Sequence, residues 1–141
     1  MTEKEILKAK EHYTFDDLIA IMRILRSEDG CPWDRAQTHE SLIPCLMEEA
    51  SEVEAAIQNR DMENLCEELG DLLFSCVNAA RHLGIDAELA LKSATDKFIL
   101  RFSKTEELVA SDSLDMKELT IEELDVYWDK SKKLLKNNGG N

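Results

Sequence analysis

Apolar residues recur every three or four positions through most of the 141-residue chain, and this period predicts helices. Several of the helices open on a Thr or Asp that can cap the first turn. We expect a short helix after residue 2, and longer ones over 15–27, 38–59, 61–84, from 86 to between 102 and 109, and over 120–136. Only five Gly and two Pro interrupt the chain. The pattern therefore predicts an all-α protein, with one domain over residues 1–136 and a disordered tail at 137–141.

One segment, residues 30–39, departs from the helical period. It combines Gly30 and Pro32, which interrupt regular structure, with Trp33 and several polar side chains that end at His39. We expect this segment to be a loop. Loops that carry many functional side chains are common places for binding residues.

Two pairs of carboxylates are spaced three residues apart on neighbouring predicted helices: Glu49 with Glu52, and Glu68 with Asp71. This spacing places both members of each pair on one helix face. If the two helices pack side by side, the four carboxylates converge on an all-oxygen site of the kind that Mg²⁺ or Mn²⁺ favours. A solvated acidic surface has the same pattern, so the residues alone leave both interpretations open.

Polar and apolar stripes lie side by side on the second of these helices. With Glu68 at zero on a helical wheel, the polar stripe falls within an arc of roughly 80°; it consists of Glu68, Asp71, Ser75, Asn78 and His82. The apolar arc, which we expect to face the core, consists of Leu65, Leu69, Leu72, Leu73, Cys76 and Leu83. Carboxylates at such a boundary are partly desolvated, which is costly unless a cation or a donor compensates them.

The spacing of the histidines and cysteines disfavours two other kinds of metal site, di-iron and zinc. A di-iron helical bundle requires Glu-x-x-His pairs, but the residue three positions before each histidine is alanine. The four cysteines lack a C-x-x-C spacing, so zinc is disfavoured and we expect reduced, buried thiols.

The net charge of −13 argues against a protein that grips a nucleic-acid backbone, which requires a basic face. The charged N-terminus has no apolar stretch typical of a signal peptide, and no apolar run approaches the ~20 residues of a membrane span. We therefore expect a cytoplasmic protein with neither nucleic acid nor membrane as its partner.

Four motifs, in the expected order over residues 15–133, resemble those of MazG-type nucleoside triphosphate pyrophosphohydrolases. They are Glu48-Glu49-x-x-Glu52 with Glu68-x-x-Asp71, Gly30-Cys31-Pro32-Trp33-Asp34 with Gln37-Thr38-His39, Glu68-Leu69-Gly70-Asp71-Leu72-Leu73-Phe74, and Lys97-Phe98-x-x-Arg101-Phe102. The resemblance places the core of the domain at about 15–133, and it implies an all-α fold with a four-helix cluster as the active site, flanked by N- and C-terminal helices. It also implies Mg²⁺-dependent cleavage of NTP or dNTP between the α and β phosphates, in nucleotide-pool housekeeping.

The family pattern also assigns roles to residues. The Mg²⁺ ligands are expected to be Glu49, Glu52, Glu68 and Asp71. Glu48 and Glu52 are the catalytic candidates, and Glu48 is a ligand, a support for the ligands, or the base for the attacking water. Phosphate contacts are expected from Lys97 and Arg101, and a nucleotide contact from Trp128. Further candidates for substrate contact are Asn78, His39 and Trp33, each of which also has a purely structural interpretation.

Departures from the family pattern leave alternatives open. Some members carry lysines just before the acidic motifs, where this chain has Cys45 and Asn64. Others have two tandem units, whereas this chain has one, which suggests a homodimer or a dimer of dimers. The alternatives are a related enzyme with one dedicated substrate, such as phosphoribosyl-ATP or a single dNTP, and an inactive helical dimer that binds a nucleotide or a protein.

Overall fold

The computed structural model describes residues 1–139, with side chains up to residue 137, and the regular elements of the described part are all helices. The helices are α1 (Glu3–Lys8), α2 (Phe15–Arg26), α3 (Pro32–Ala36), α4 (His39–Gln58), α5 (Met62–His82), α6 (Ala87–Ser111) and α7 (Ile121–Gly139), with a 3₁₀ turn at Met116–Glu118. No strand occurs among residues 1–139. The all-α prediction is confirmed.

The helix starts follow the capping signals in the sequence. Side chains of Thr2, Thr14 and Thr38 each accept a hydrogen bond from a backbone N–H in the first turn, and Asp61 does so for α5. These bonds satisfy donors that the start of a helix leaves free.

Two segments differ from the expected pattern. The loop at residues 30–39 contains the short helix α3, whose first residue is Pro32; proline suits this position because its φ is already helical and it has no N–H to leave unpaired. Helix α7 runs to Gly139, past the expected end at Lys136. Residues 140 and 141, the end of the tail predicted to be disordered, lie outside the described residues.

The chain divides into two compact units, the first from Met1 to Ala87 and the second from Glu88 onward. The first is built around an antiparallel hairpin of α4 and α5, which are joined by the short turn at residues 59–61 and pack along their lengths. Helix α2 packs against α5. In the second unit, the buried hydroxyl of Thr105 on α6 donates to that of Ser131 on α7 at 2.9 Å.

The hairpin leaves much of its apolar surface uncovered within this chain. Leu69 and Leu73 on α5 and Leu83 just after it are 44%, 63% and 48% exposed, so the expectation that this arc faces the core is wrong for these residues. Three of the four cysteines, predicted to be buried, are exposed free thiols: Cys45, Cys66 and Cys76. The helical period identifies an apolar face but does not say what covers it.

Among the described residues, no helix combines the length and the apolar character that crossing a membrane requires.

Candidate metal centre

Three carboxylates meet near the middle of the α4–α5 hairpin. Glu49 on α4 and Glu68 and Asp71 on α5 each offer an oxygen, and these atoms lie within 4.8 Å of one another. The two helices run side by side because the turn between them is short, which brings the two acidic faces together. We call these three residues the carboxylate cluster.

The carboxylate cluster is short of compensating charge. A hydrogen bond with Glu52, burial, and the neighbouring acidic charges raise the pKa of Glu68 to about 7. Burial and the charges of Glu52, Asp71 and Glu48 raise the pKa of Glu49. One buried oxygen of Glu49 and one of Glu68 have no hydrogen-bond partner within the described part of the chain. Such unpaired, buried oxygens are costly.

A hard divalent cation fits this donor set. The ligand atoms are all carboxylate oxygens, drawn from two facing helices, and Mg²⁺ and Mn²⁺ prefer oxygen ligands. A bound cation would satisfy the unpaired oxygens of Glu49 and Glu68 and offset the repulsion among the acids. The geometry is therefore that of a candidate divalent-metal centre.

Glu52 and Glu48 flank the carboxylate cluster on α4. Glu52 is half-buried and hydrogen-bonds with Glu68, so it adjoins the three grouped oxygens. Glu48 is exposed, and its charge contributes to the raised pKa of Glu49.

The residues expected at the phosphates and the base lie in the second unit. The guanidinium of Arg101 lies 3.9 Å from the centre of the Trp128 ring. Its Nε and Nη2 atoms donate to the Trp128 carbonyl at 3.2 and 3.0 Å, and Nη2 lies 3.7 Å from a carboxylate oxygen of Asp129. The structure thus joins Arg101 and Trp128 into one contact, whereas Lys97 is exposed one turn earlier on α6.

The other candidates for substrate contact lie at the open end of the hairpin, opposite the turn at residues 59–61. The Nε2 atom of His39 bonds to the carbonyl of His82 at 3.1 Å. The side-chain oxygen of Asn78 accepts from Arg81. Trp33 is 84% exposed on α3.

A polar group at this end was not singled out from the sequence. Arg81 donates twice to Asp34, with its Nη1 2.9 Å from Oδ2 and its Nη2 2.6 Å from Oδ1. The Nδ1 atom of His82 lies 2.6 Å from Nη1 of Arg26. Its Nε2 atom lies 3.2 Å from Nη2 of Arg81 and 3.5 Å from Oδ1 of Asp34. We call Arg26, Asp34, Asn78, Arg81 and His82 the Asp34 network.

Asp34 is the one acid of the Asp34 network, which also contains Arg26 and Arg81; the buried Nε atom of Arg81 has no hydrogen-bond partner among the described residues. Burial acts to raise the pKa of Asp34, but the hydrogen bonds and charge of Arg81 outweigh it and hold that pKa below its ordinary value. Burial and the charges of Arg81 and Arg26 lower the pKa of His82. The sequence signals were the position of Asp34 inside a motif and the positions of Asn78 and His82 on the polar stripe. Helical spacing does not pair residues from distant segments, so it gave no sign that these side chains meet.

Comparison with known proteins supports one family. Residues 37–105 match the model of the MazG nucleotide pyrophosphohydrolase domain. A Thermotoga maritima protein named nucleoside triphosphate pyrophosphohydrolase/pyrophosphatase MazG is 45% identical over 106 residues, which are 75% of this chain and 39% of that protein. The Escherichia coli nucleoside triphosphate pyrophosphohydrolase is 37% identical over 143 residues, 94% of this chain and 53% of that protein.

A solved structure is similar over nearly its whole length. The crystal structure of a MazG-related protein from Thermotoga maritima is 31% identical, with a TM-score of 0.58, and the match covers 84% of this chain and 98% of that one. The chain spans about half or less of the length of the curated relatives named above. The matched family model and the solved relative together show that the chain belongs to the MazG family.

Proposed function

We propose that this protein is a Mg²⁺-dependent nucleoside triphosphate pyrophosphohydrolase that converts NTP or dNTP to the monophosphate and pyrophosphate. The observation that carries the proposal is the carboxylate cluster, in which oxygens of Glu49, Glu68 and Asp71 lie within 4.8 Å and two buried oxygens lack partners. The names of the two curated relatives state the same activity for those proteins. Removal of surplus or non-standard nucleotides is the role that this reaction suits.

The carboxylate cluster and Glu52 hold the cation in this proposal. A bound Mg²⁺ supplies charge that bridges the acidic site to the anionic triphosphate and stabilises the charge that develops on the phosphate oxygens. Glu48 and Glu52, which flank the cluster on α4, are the acceptors that we propose for the proton of the attacking water. The water oxygen bonds to phosphorus as the bond to the bridging oxygen breaks, and pyrophosphate leaves with that oxygen.

Lys97, Arg101 and Trp128 of the second unit are also proposed to contact the substrate. Lys97 and Arg101 are four residues apart on α6, so they share a helix face. The proposed donors to phosphate oxygens are the Lys97 ammonium and the Arg101 N–H groups that do not donate to the Trp128 carbonyl. The contact with Trp128 fixes the direction of the Arg101 guanidinium. Asn78 and His39 are proposed to act nearer the sugar and the base.

We also propose a homodimer, or a dimer of dimers, as the working form. Large apolar side chains are exposed on both helices of the hairpin, among them Ile43 at 60%, Met47 at 64% and Leu73 at 63%. Exposed apolar patches of this kind are typical of protein interfaces, and a second copy would cover them isologously. Sedimentation of the protein should give at least twice the monomer mass, and a monomer at micromolar concentration would contradict the proposal.

Product analysis tests the proposed reaction. A panel of NTPs and dNTPs is incubated with the protein, either with Mg²⁺ or with EDTA, and the phosphorus-containing products are separated. Monophosphate and pyrophosphate that appear only with Mg²⁺ are expected. Diphosphate and orthophosphate would mean that a different bond is cleaved, and no turnover of any nucleotide would reject the proposed activity. Turnover of a single nucleotide would favour a dedicated-substrate enzyme.

A further inference from the structure

The segment that contains Trp33 is fixed at its start by a close backbone approach. The backbone N–H of Gly30 donates to the carbonyl oxygen of Ser27, and that of Cys31 donates to the carbonyl oxygen of Leu25, both at 2.9 Å. A Cβ at Gly30 would lie 2.3 Å from the carbonyl oxygens of Ile24 and Leu25. The chain therefore turns away from α2 along a path that only glycine allows.

The same segment is fixed at its other side by the Asp34 network. Side chains of Asp34 and Arg81 are 10% and 14% exposed, and the two form a bidentate ion pair. Because an arginine–carboxylate fork is rigid as well as strong, it fixes α3 against the last turn of α5. Trp33 directly precedes Asp34, so the fork also fixes the backbone from which the indole projects.

Two members of the Asp34 network, Asn78 and His82, lie on the helix stripe that carries the proposed metal ligands. Glu68 and Asp71 begin the polar stripe of α5, and Asn78 and His82 continue it. Arg81, which holds Asp34, follows Asp71 by ten residues, or roughly 15 Å along a helix. An extended nucleoside triphosphate has a comparable span, so a substrate with its phosphates at the carboxylate cluster can reach this end.

The two tryptophans of the chain present different surfaces. Trp128 has the Arg101 guanidinium over its ring, and Phe98 lies 5.9 Å away between ring centres. Trp33 is 84% exposed, although it is the largest side chain of its segment. An exposed indole on a rigid backbone offers a flat surface for stacking at little entropic cost.

We propose that Trp33 stacks on the nucleobase of the substrate and that Asp34 and Arg81 are positioning residues that hold Trp33 in place for this contact. The proposal rests on the proposed function, because it takes the ligand to be a nucleoside triphosphate. Stacking uses the face of a ring that every base has, so the contact favours nucleotides over bare polyphosphates without selecting one base.

The test uses the full chain labelled with 5-fluorotryptophan, which gives two fluorine resonances; Trp33→Phe identifies the resonance of Trp33. The ligands are an α,β-methylene nucleoside triphosphate with Mg²⁺, which cannot be cleaved at the reacting bond, and tripolyphosphate with Mg²⁺, which has no base. The nucleotide is expected to shift the Trp33 resonance and tripolyphosphate to leave it in place. Trp33→Ala should weaken nucleotide binding roughly tenfold and leave tripolyphosphate binding unchanged.

The positioning role is tested by a mutant cycle. Asp34→Asn should weaken nucleotide binding in the wild-type background but add nothing in the Trp33→Ala background, because both changes remove the same contact. Asp34→Glu, which keeps a carboxylate for Arg81, is the matched control and should restore most of the affinity. If Asp34→Asn folds poorly, Asp34→Glu takes its place in the cycle, measured with and without Trp33→Ala.

Several outcomes would overturn the inference. An unmoved Trp33 resonance and unchanged nucleotide affinity in Trp33→Ala, with NTP hydrolysis intact, would reject the Trp33 contact while the proposed function stands. If Trp33→Ala forms an oligomer of lower mass than the wild-type protein, without a change in nucleotide affinity, Trp33 contacts a second copy of the chain instead. Absence of both nucleotide binding and turnover in the wild-type protein would reject the two proposals together.

Discussion

The carboxylate cluster and the Asp34 network lie on the same hairpin, yet their charges are handled in opposite ways. In the cluster, acids face acids, the pKa of Glu68 rises to about 7, and buried oxygens lack partners. In the network, Arg81 pairs with Asp34 through two hydrogen bonds and the pKa of Asp34 falls below its ordinary value. Asp34 thus has a cationic partner within the protein, although the buried Nε of Arg81 lacks a hydrogen-bond partner in the described part of the chain. The acids of the carboxylate cluster face other acids, which marks the cluster as the stronger candidate for a bound cation.

The largest effect is expected when the carboxylate cluster, or Glu52 beside it, is changed. Glu52→Ala and Asp71→Ala should each lower turnover at least about 100-fold, because metal-assisted charge stabilisation is worth several kcal/mol. Helicity should be retained, since both changes relieve repulsion and the hydrogen bond that Glu52→Ala removes joins two acids of the site. Glu54→Ala, on an exposed position of α4, is the control and should keep near wild-type turnover. A wild-type rate in either cluster variant would show that the site is misassigned.

Breaking the Asp34 network should instead affect stability. Asp34→Ala leaves the largely buried Arg81 without its carboxylate partner, so the free energy of unfolding should fall by about 2–4 kcal/mol. The urea midpoint measures this change. Asp96→Ala is the matched control, because its ion pair with Lys92 is exposed on α6 and such pairs are worth about 0.5 kcal/mol or less. Equal effects of the two variants would mean that the buried pair contributes no more than a surface pair.

The path of the chain into α3 is tested by a pair of glycines. Gly30→Ala places a methyl group against two carbonyls of α2 and should destabilise the protein by about 1–3 kcal/mol. Gly70→Ala on α5 meets no atom within 4 Å and should raise stability by up to about 1 kcal/mol, because alanine favours the helix. Thermal unfolding of both variants distinguishes a specific requirement at residue 30 from a general sensitivity to glycine replacement.

The two sites should also depend on pH with opposite signs. Glu68 keeps its proton in the folded protein up to a pKa of about 7, against an ordinary 4.5, so metal-free stability should fall as pH rises between these values. The pKa of Asp34 is lowered, so the stability it contributes is present at neutral pH and is lost as pH falls below its ordinary 3.8. Urea midpoints across pH 4–8 measure the first effect, and Glu68→Gln should flatten it. A flat profile in the wild-type protein would contradict the proposed repulsion.

Local signals in the sequence were enough to predict most helices. Capping residues such as Thr14 and Asp61 set the helix starts, and the acidic spacing of three on α4 and α5 indicated which faces meet. Glu49, Glu68 and Asp71 could be grouped in advance because a short turn forces their two helices together.

Non-local features were beyond the reach of helical periodicity. The Asp34–Arg81 pair joins residues 47 positions apart, and no spacing rule connects a loop to the end of a distant helix. The apolar arc that includes Leu73 was assigned to a core, yet it is exposed within this chain. A hydrophobic pattern specifies that a face avoids water, and what covers it depends on tertiary or quaternary packing.

Titration of Mg²⁺ into the metal-free protein at neutral pH, followed by calorimetry, tests the central claim most directly. The account expects saturable binding in the wild-type protein, at least about tenfold weaker binding in Asp71→Asn, and unchanged binding in Asp34→Glu. Equal Mg²⁺ affinity in the wild-type protein and Asp71→Asn would contradict the claim that the carboxylate cluster is the metal centre.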